Sequence, residues 1–324
     1  MVQAMVQIAI LAVCGNGAPR GQASPGGRHR TMQLVFHLGG HCTDDGRLIR
    51  SISRSRAAFA DGAIHIPGPR GYRSLLRETL GILNGAEASD EVQSLLIDAL
   101  TDTDDAERVL LFHENLLCLP PRIVSESGLY AMTPRRLKAI ASMFPAYSCE
   151  FYLSISNPAA LVPSLVQRGL TESYDALMGM TDPYKLRWWP TISQTLAASP
   201  DIKLTIWCNE DAPLVWPQIV RGMCQVPEAT AFEGDTDMAT ALLSDEGAAA
   251  LTDSLATTPP ASTAEWADRV SAALVENGKA DALELNVDLP GWTEEVIDAM
   301  SALYLDDCAR IAGLPGVRFL TPPG

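Results

Sequence analysis

From Met32 onward, short apolar runs alternate with longer segments whose apolar residues recur every three or four positions. Gln33–Leu38 (QLVFHL) is a compact run of the kind found in strands covered on both faces, and Gly39-Gly40 stops it. A helix is predicted from about Gly46 to Ala60, then a short strand from Ala63 to Ile66 ended by Pro67-Gly68-Pro69. Helices are predicted at Tyr72–Leu83 and Glu91–Leu100, and strands at Arg108–Phe112, Ser148–Ser154 and Lys203–Cys208. Between the last two strands lie helical patterns near Ala159–Arg168 and Tyr184–Ala197. Strands separated by helix-sized segments imply an α/β fold: three layers, α/β/α, around a mostly parallel sheet. Past Cys208 the strands nearly stop. Pro213–Cys224, Met238–Leu255, Ala261–Asn277 and Trp292–Ala312 read as helices, giving a helical C-terminal portion over about 213–324.

A chain of 324 residues with 47% hydrophobic residues suits one large domain from residue 32 on. The formal charge of -15 repels nucleic acid and anionic membrane, so neither is an expected partner. No run of about 18 apolar residues is present, so no membrane span is expected. The seven cysteines are odd in number and form no CxxC pair, which points to a reducing, cytoplasmic setting rather than a disulfide scaffold or zinc ribbon. The apolar run Ile8–Val13 lacks the basic start of a signal peptide and is followed by a Gly/Pro/Arg-rich tract, so residues 1–31 read as a disordered leader.

The densest group of chemically able residues follows the first strand: His37-Leu38-Gly39-Gly40-His41-Cys42-Thr43-Asp44-Asp45-Gly46-Arg47. A strand, a glycine-containing turn and a helix together point backbone N–H groups and a helix dipole at one spot, which suits an anion. This stretch resembles the His-x-Gly-x-His-Lys-Thr-Gly-Thr-Thr loop of bacterial P-loop sulfotransferase-like proteins, matching at His37, Gly39, His41 and Thr43. Three further stretches follow in the same order as in that family. Ala63–Gly68 resembles its second strand and Pro-Gly turn. Leu110–Asn115 resembles the strand that delivers a Ser-Glu pair, with His113 in place of serine. Ser156-Asn157-Pro158 followed by Ser164 resembles its 3'-phosphate motif.

The resemblance covers roughly residues 33–210 and implies a P-loop nucleoside triphosphate hydrolase-like fold of the sulfotransferase type. It also implies phosphoadenosine phosphosulfate as donor, a small-molecule or glycan hydroxyl as acceptor, and donor contacts from Gly39, Gly40, His41, Cys42, Thr43, Asp44, Asp45, Gly46, Arg47 and Ser164. Glu114 and His41 are the candidate bases.

The chain departs from the pattern where charge matters. Cys42 replaces the lysine, Asp44 the second loop glycine, Asp45-Gly46 the threonine pair, and Ser156 the arginine of the 3'-phosphate motif. Carboxylates near a sulfonate and phosphate oppose donor binding. Two functions therefore stand side by side: a divergent sulfotransferase, or an inactive relative that keeps the fold as a binding or interaction module; a third is a metal-assisted hydrolase or transferase using the histidine and aspartate cluster.

Several residues carry two readings. Arg47, Arg50 and Arg54 share helical spacing and either reach an anion or solvate a surface. Trp188, Trp189, Trp207 and Trp216 either line an acceptor cleft or anchor helices on the sheet. Asn209-Glu210-Asp211 either faces that cleft or caps the next helix. The ends of the first and third strands are expected side by side, which brings His37 and His113 near the loop. The spacing of His, Cys and Asp there fits no established zinc pattern, and no metal is assigned.

Overall fold

The computed structural model describes residues 32–59, 63–101, 103, 105–284 and 287–323. The leader expected over 1–31 lies outside them. One six-stranded sheet organises the fold, with β1 (Gln33–His37), β2 (Ile64–His65), β3 (Arg108–Phe112), β6 (Ser148–Ile155), β7 (Lys203–Cys208) and β8 (Val317–Leu320) in the order β2-β3-β1-β6-β7-β8. Every neighbouring pair is parallel. A separate two-residue hairpin pairs β4 (Val124–Ser125) with β5 (Gly128–Leu129).

The pleat of β1 sorts its side chains between two cores. Leu34 and Phe36 join Tyr72, Leu96, Leu137, Phe151, Val162 and Trp188 on one face. That layer is built by α2 (Pro69–Leu83), α3 (Asp90–Leu100), α4 (Thr133–Ser142), α5 (Pro158–Gln167), α6 (Tyr174–Met178), α7 (Trp188–Ala198) and α13 (Glu294–Ala312), with the short α12 (Ala280–Leu283) preceding the last. Val35 faces the other side with Leu110, Phe112, Tyr152 and Trp207, under α1 (Arg47–Arg54) and α8 (Ala212–Cys224). The layers are therefore helix, sheet, helix, and the loop after β1 opens at the carboxyl edge of the central strand. In parallel sheets that edge is where ligands are bound.

Several details differ from the sequence reading. The C-terminal region is not purely helical: β8 returns to the sheet and pairs with β7 along its length. The Met238–Leu255 helix is two helices, α9 (Asp237–Thr240) and α10 (Asp245–Thr257), because the Ser244 hydroxyl caps a new helix start through Gly247 N–H. With α11 (Thr263–Asn277) these form a small core of Ala239, Leu243, Leu251, Leu255, Trp266 and Val270 beside α8. The first helix is likewise shorter than expected, Arg47–Arg54, followed by one 3-10 turn.

The opposite, amino edge of the sheet carries a buried ion pair. Arg108 at the start of β3 is 4% exposed, pairs with Glu150 on β6 at 2.7 Å, and donates through Nε to the Met223 carbonyl at the end of α8. It thus fastens one helix layer to the sheet.

Candidate functional site

The β1 ladder runs on into the loop. Leu38 N–H donates to the Tyr152 carbonyl at 2.9 Å, Gly40 N–H to Ser154 O at 2.7 Å, and Ser154 N–H to Gly39 O at 2.6 Å. Glycine is required here. Gly39 has φ +86°, and a Cβ on it would stand 3.1 Å from Glu114 Cβ, while one on Gly40 would stand 3.0 Å from the Ser154 carbonyl. Beyond it, Cys42 (φ 59°), Asp45 (φ 51°) and Gly46 (φ 70°) are left-handed. For the two non-glycine residues that conformation costs about 1–3 kcal/mol each, and such strain gathers at functional loops.

His41 is 4% exposed, and both its ring nitrogens are engaged. Nε2 lies 3.0 Å from Asn115 Oδ1, which only accepts, so Nε2 carries the proton. Nδ1 then accepts from the Tyr130 hydroxyl at 2.7 Å, and the same hydroxyl receives the His41 backbone N–H at 3.1 Å. Burial lowers the His41 pKa, against smaller opposing effects of Asn115 and Glu114, so the ring is neutral. A ring with no open lone pair positions the loop; it has none to offer an incoming hydroxyl. Of the two candidate bases, Glu114 alone presents a solvent-facing oxygen: its side chain is 46% exposed, with Arg73 at 3.4 Å.

Tyr130 stacks on Trp188 at 4.9 Å, and Trp188 Nε1 donates to the Ser156 carbonyl at 2.8 Å. This chain of contacts joins the loop after β1 to the segment after β6. Tyr130 carries no local sequence signal, and it lies 89 positions from His41.

The start of the helix after the loop is occupied from within. The Asp44 carboxylate accepts the Leu48 N–H at 3.0 Å, in the first turn of α1. Its own carbonyl receives Arg47 N–H at 2.8 Å and the Arg47 guanidinium at 3.2 Å. Asp45 pairs with Arg47 at 3.4 Å on one side and with Arg168, just past α5, on the other. So Arg47 does reach back to the helix start, but to an internal carboxylate. Gly40, His41, Arg47 and Leu48 all have their N–H groups committed to protein acceptors. Thr43 turns its hydroxyl to the Gly40 carbonyl at 2.7 Å. Cys42 is pushed up to about 11 by burial, so its thiol is protonated and offers no charge.

Other predicted residues fall as follows. Arg54 pairs with Asp237, and Ser51 bonds the same carboxylate. His37 and His113 do lie side by side, with His113 N–H on the His37 carbonyl at 2.9 Å. Burial lowers both, His113 to about 4 with Arg73 adding to the effect. His37 is stacked on Trp207 at 5.9 Å, and its Nε2 and the His113 Nδ1 are buried without a partner among the described residues. Among the described residues, no group of three His, Cys, Asp or Glu side chains stands close enough to hold a metal.

Ser164 lies half-buried on α5, whose first turn is capped by Asn157 through Ala159 N–H at 3.0 Å. Trp188, Trp207 and Trp216 are at most 2% exposed and act as anchors rather than as a cleft lining. Glu210, an exposed residue, ties separate segments together. One oxygen accepts Asn157 N–H at 2.8 Å and the other the Tyr304 hydroxyl at 2.8 Å, so α13 sits over the carboxyl ends of β6 and β7.

A cavity of about 1290 Å³ lies between α8 and α10–α11, lined in part by Arg221, Phe232 and Trp266; none of its lining residues belongs to the loop. Among the described residues no helix is long and apolar enough to cross a membrane. The chain matches no protein-family model, and no curated protein matches it.

Proposed function

We propose that this chain is a relative of the sulfotransferase fold in which the donor loop is occupied by its own carboxylates, and that it serves as a binding or interaction module rather than as a transferase. The observation that carries this reading is Asp44 Oδ2 on the Leu48 N–H, in the first turn of α1, where the resemblance would put the donor's phosphosulfate. A helix start with a carboxylate already on it gains little from a second anion, and two anions at that spot repel. Arg47 and Arg168, two of the nearby cations, are held by Asp45. Sulfuryl transfer needs positive charge or N–H donors aimed at the developing negative charge, and one such donor is worth about 3 kcal/mol or more. Here Arg47, Arg168 and the N–H groups of Gly40, His41, Arg47 and Leu48 are committed to protein partners.

The test is calorimetric titration of the full chain with 3'-phosphoadenosine 5'-phosphate at low salt. No heat of binding up to millimolar ligand is the expected result. Micromolar binding to the unaltered protein would reverse the reading and return the chain to the transferases, with Glu114 as base and phosphoadenosine phosphosulfate as donor.

A further inference from the structure

Cys208 and Cys308 are separated by 100 positions in the chain, yet their sulfurs stand 3.4 Å apart. Cys208 is the buried last residue of β7, and Cys308 is a half-buried residue on the outer part of α13. They meet at the seam where α13 covers the carboxyl edge of the sheet, beside the Tyr304–Glu210 and Ser301–Asn157 hydrogen bonds.

We propose that Cys208 and Cys308 are a reversible redox pair, which a hydroperoxide converts to a disulfide that fastens α13 to the end of β7. The inference does not depend on whether the loop after β1 binds a donor.

The geometry asks for little movement. Closing the sulfurs to a bond of about 2.05 Å needs an approach of about 1.4 Å, within what a rotamer change on one helix residue supplies. Access and chemistry both select Cys308 as the first to react. It is the more exposed of the two, and the hydrogen bond it shares with the Cys208 sulfur favours its thiolate and lowers its pKa, against the opposing effect of burial. At the other described cysteines away from this pair burial prevails, holding Cys42 up to about 11 and Cys118, Cys149 and Cys224 up to about 12.

In the first step the Cys308 thiolate attacks one peroxide oxygen. The O–O bond breaks, Cys308 becomes a sulfenic acid, and the departing hydroxide takes the proton that Cys308 gave up and leaves as water. In the second, the Cys208 sulfur attacks the Cys308 sulfur. The S–S bond forms, the S–O bond breaks, and the hydroxide leaves as water with the Cys208 proton. Two thiols lose two electrons and one hydrogen peroxide becomes two waters. A dithiol reductant reverses the change by thiol–disulfide exchange.

The experiment treats the full reduced chain with a few equivalents of hydrogen peroxide, blocks remaining thiols with N-ethylmaleimide, and maps the peptides by mass spectrometry. The expected result is loss of two hydrogens in intact mass and one cross-linked peptide joining Cys208 to Cys308. Dithiothreitol should restore both thiols, and the oxidised form should melt at a higher temperature than the reduced form. Cys208→Ser should abolish the cross-link and leave Cys308 as a sulfenic acid that dimedone traps, with circular dichroism showing the variant folded. Cys308→Ser should abolish both products. A cross-link to any other cysteine, an undiminished one in either variant, or reaction only after unfolding would overturn the proposal.

Discussion

Removing the Asp44 carboxylate is the sharpest perturbation of the loop, because its side chain makes one well-defined bond and its backbone contacts survive substitution. Asp44→Ala loses the 3.0 Å acceptor for Leu48 N–H but keeps the carbonyl that receives Arg47. A lost cap bond costs about 1 kcal/mol, and loss of the negative charge at a helix start adds about 0.3–1 kcal/mol. The expected destabilisation is therefore about 1–2 kcal/mol, which at about 1.5 °C per kcal/mol for a chain of this size lowers Tm by about 2–3 °C. Asp44→Asn keeps an acceptor oxygen and should lose less than half as much. Urea unfolding at low salt measures both through the midpoint, provided the slope is unchanged.

The same variants report on anion binding. If Asp44→Ala vacates a real anion position, sulfate should stabilise it more than the parent. An ion held at about 1 mM Kd and supplied at 10 mM contributes about 1.4 kcal/mol. Comparing the two proteins in the same salt removes the general salting effect of sulfate. The reasoning is refuted if Asp44→Ala unfolds within error of the parent, or if sulfate shifts both proteins equally.

The buried Arg108–Glu150 pair should respond asymmetrically: Arg108→Ala alone leaves Glu150 with only the exposed Lys203 at 3.7 Å and costs about 3 kcal/mol by denaturant unfolding, while Arg108→Met with Glu150→Leu together recovers most of that. Asp307, 0% exposed, accepts from Trp188 N–H at 2.8 Å and pairs with Arg187 at 2.6 Å, so Asp307→Ala should also cost about 3–5 kcal/mol, and a loss under 1 kcal/mol would show the seam between α7 and α13 to be dispensable. His113 is pushed down to about 4 by burial and Arg73, so the unfolded chain, with its histidines near 6.5, takes up more protons than the folded one. Its contribution is fully present above pH 6.5 and is lost as pH falls toward 4, amounting to about 3 kcal/mol. Unfolding free energies at pH 7.5 and 4.5 should differ in that direction, and the difference should shrink in folded His113→Gln.

The sheet was legible in the sequence because β1, β3 and β7 are buried on both faces, so their residues are apolar almost without interruption. An edge strand leaves no such trace: in β8, Val317, Arg318 and Phe319 are all partly exposed and only Leu320 is buried. Helix α4 was likewise hidden, since only Thr133, Leu137 and Ile140 of its ten residues are buried. At the loop, the residue types could be read, and Asp44 and Asp45 stood out as carboxylates in the place of an anion. Their actual work could not be read, because it depends on where α1 starts and on an arginine, Arg168, more than a hundred positions away. The contacts of His41 were hidden for the same reason: nothing near Tyr130 marks it as the partner that takes the ring's lone pair.

The helical pair α10–α11 leaves the main body and returns to it at one point. Leu243 and Gly278 form an antiparallel bridge there, with Ser244 N–H on the Asn277 carbonyl and Lys279 N–H on the Leu242 carbonyl, both at 2.8 Å. An excursion whose two ends are already stitched together behaves as a detachable handle. Its length can change without moving either anchor, much as insertions are tolerated where flanking chain ends lie close. Ala239 and Leu243 belong to its small core, and packing on α8 ties the handle to the sheet layers. This is the part of the fold where new sequence can be grafted, or an affinity tag seated, while the loop after β1 keeps its geometry.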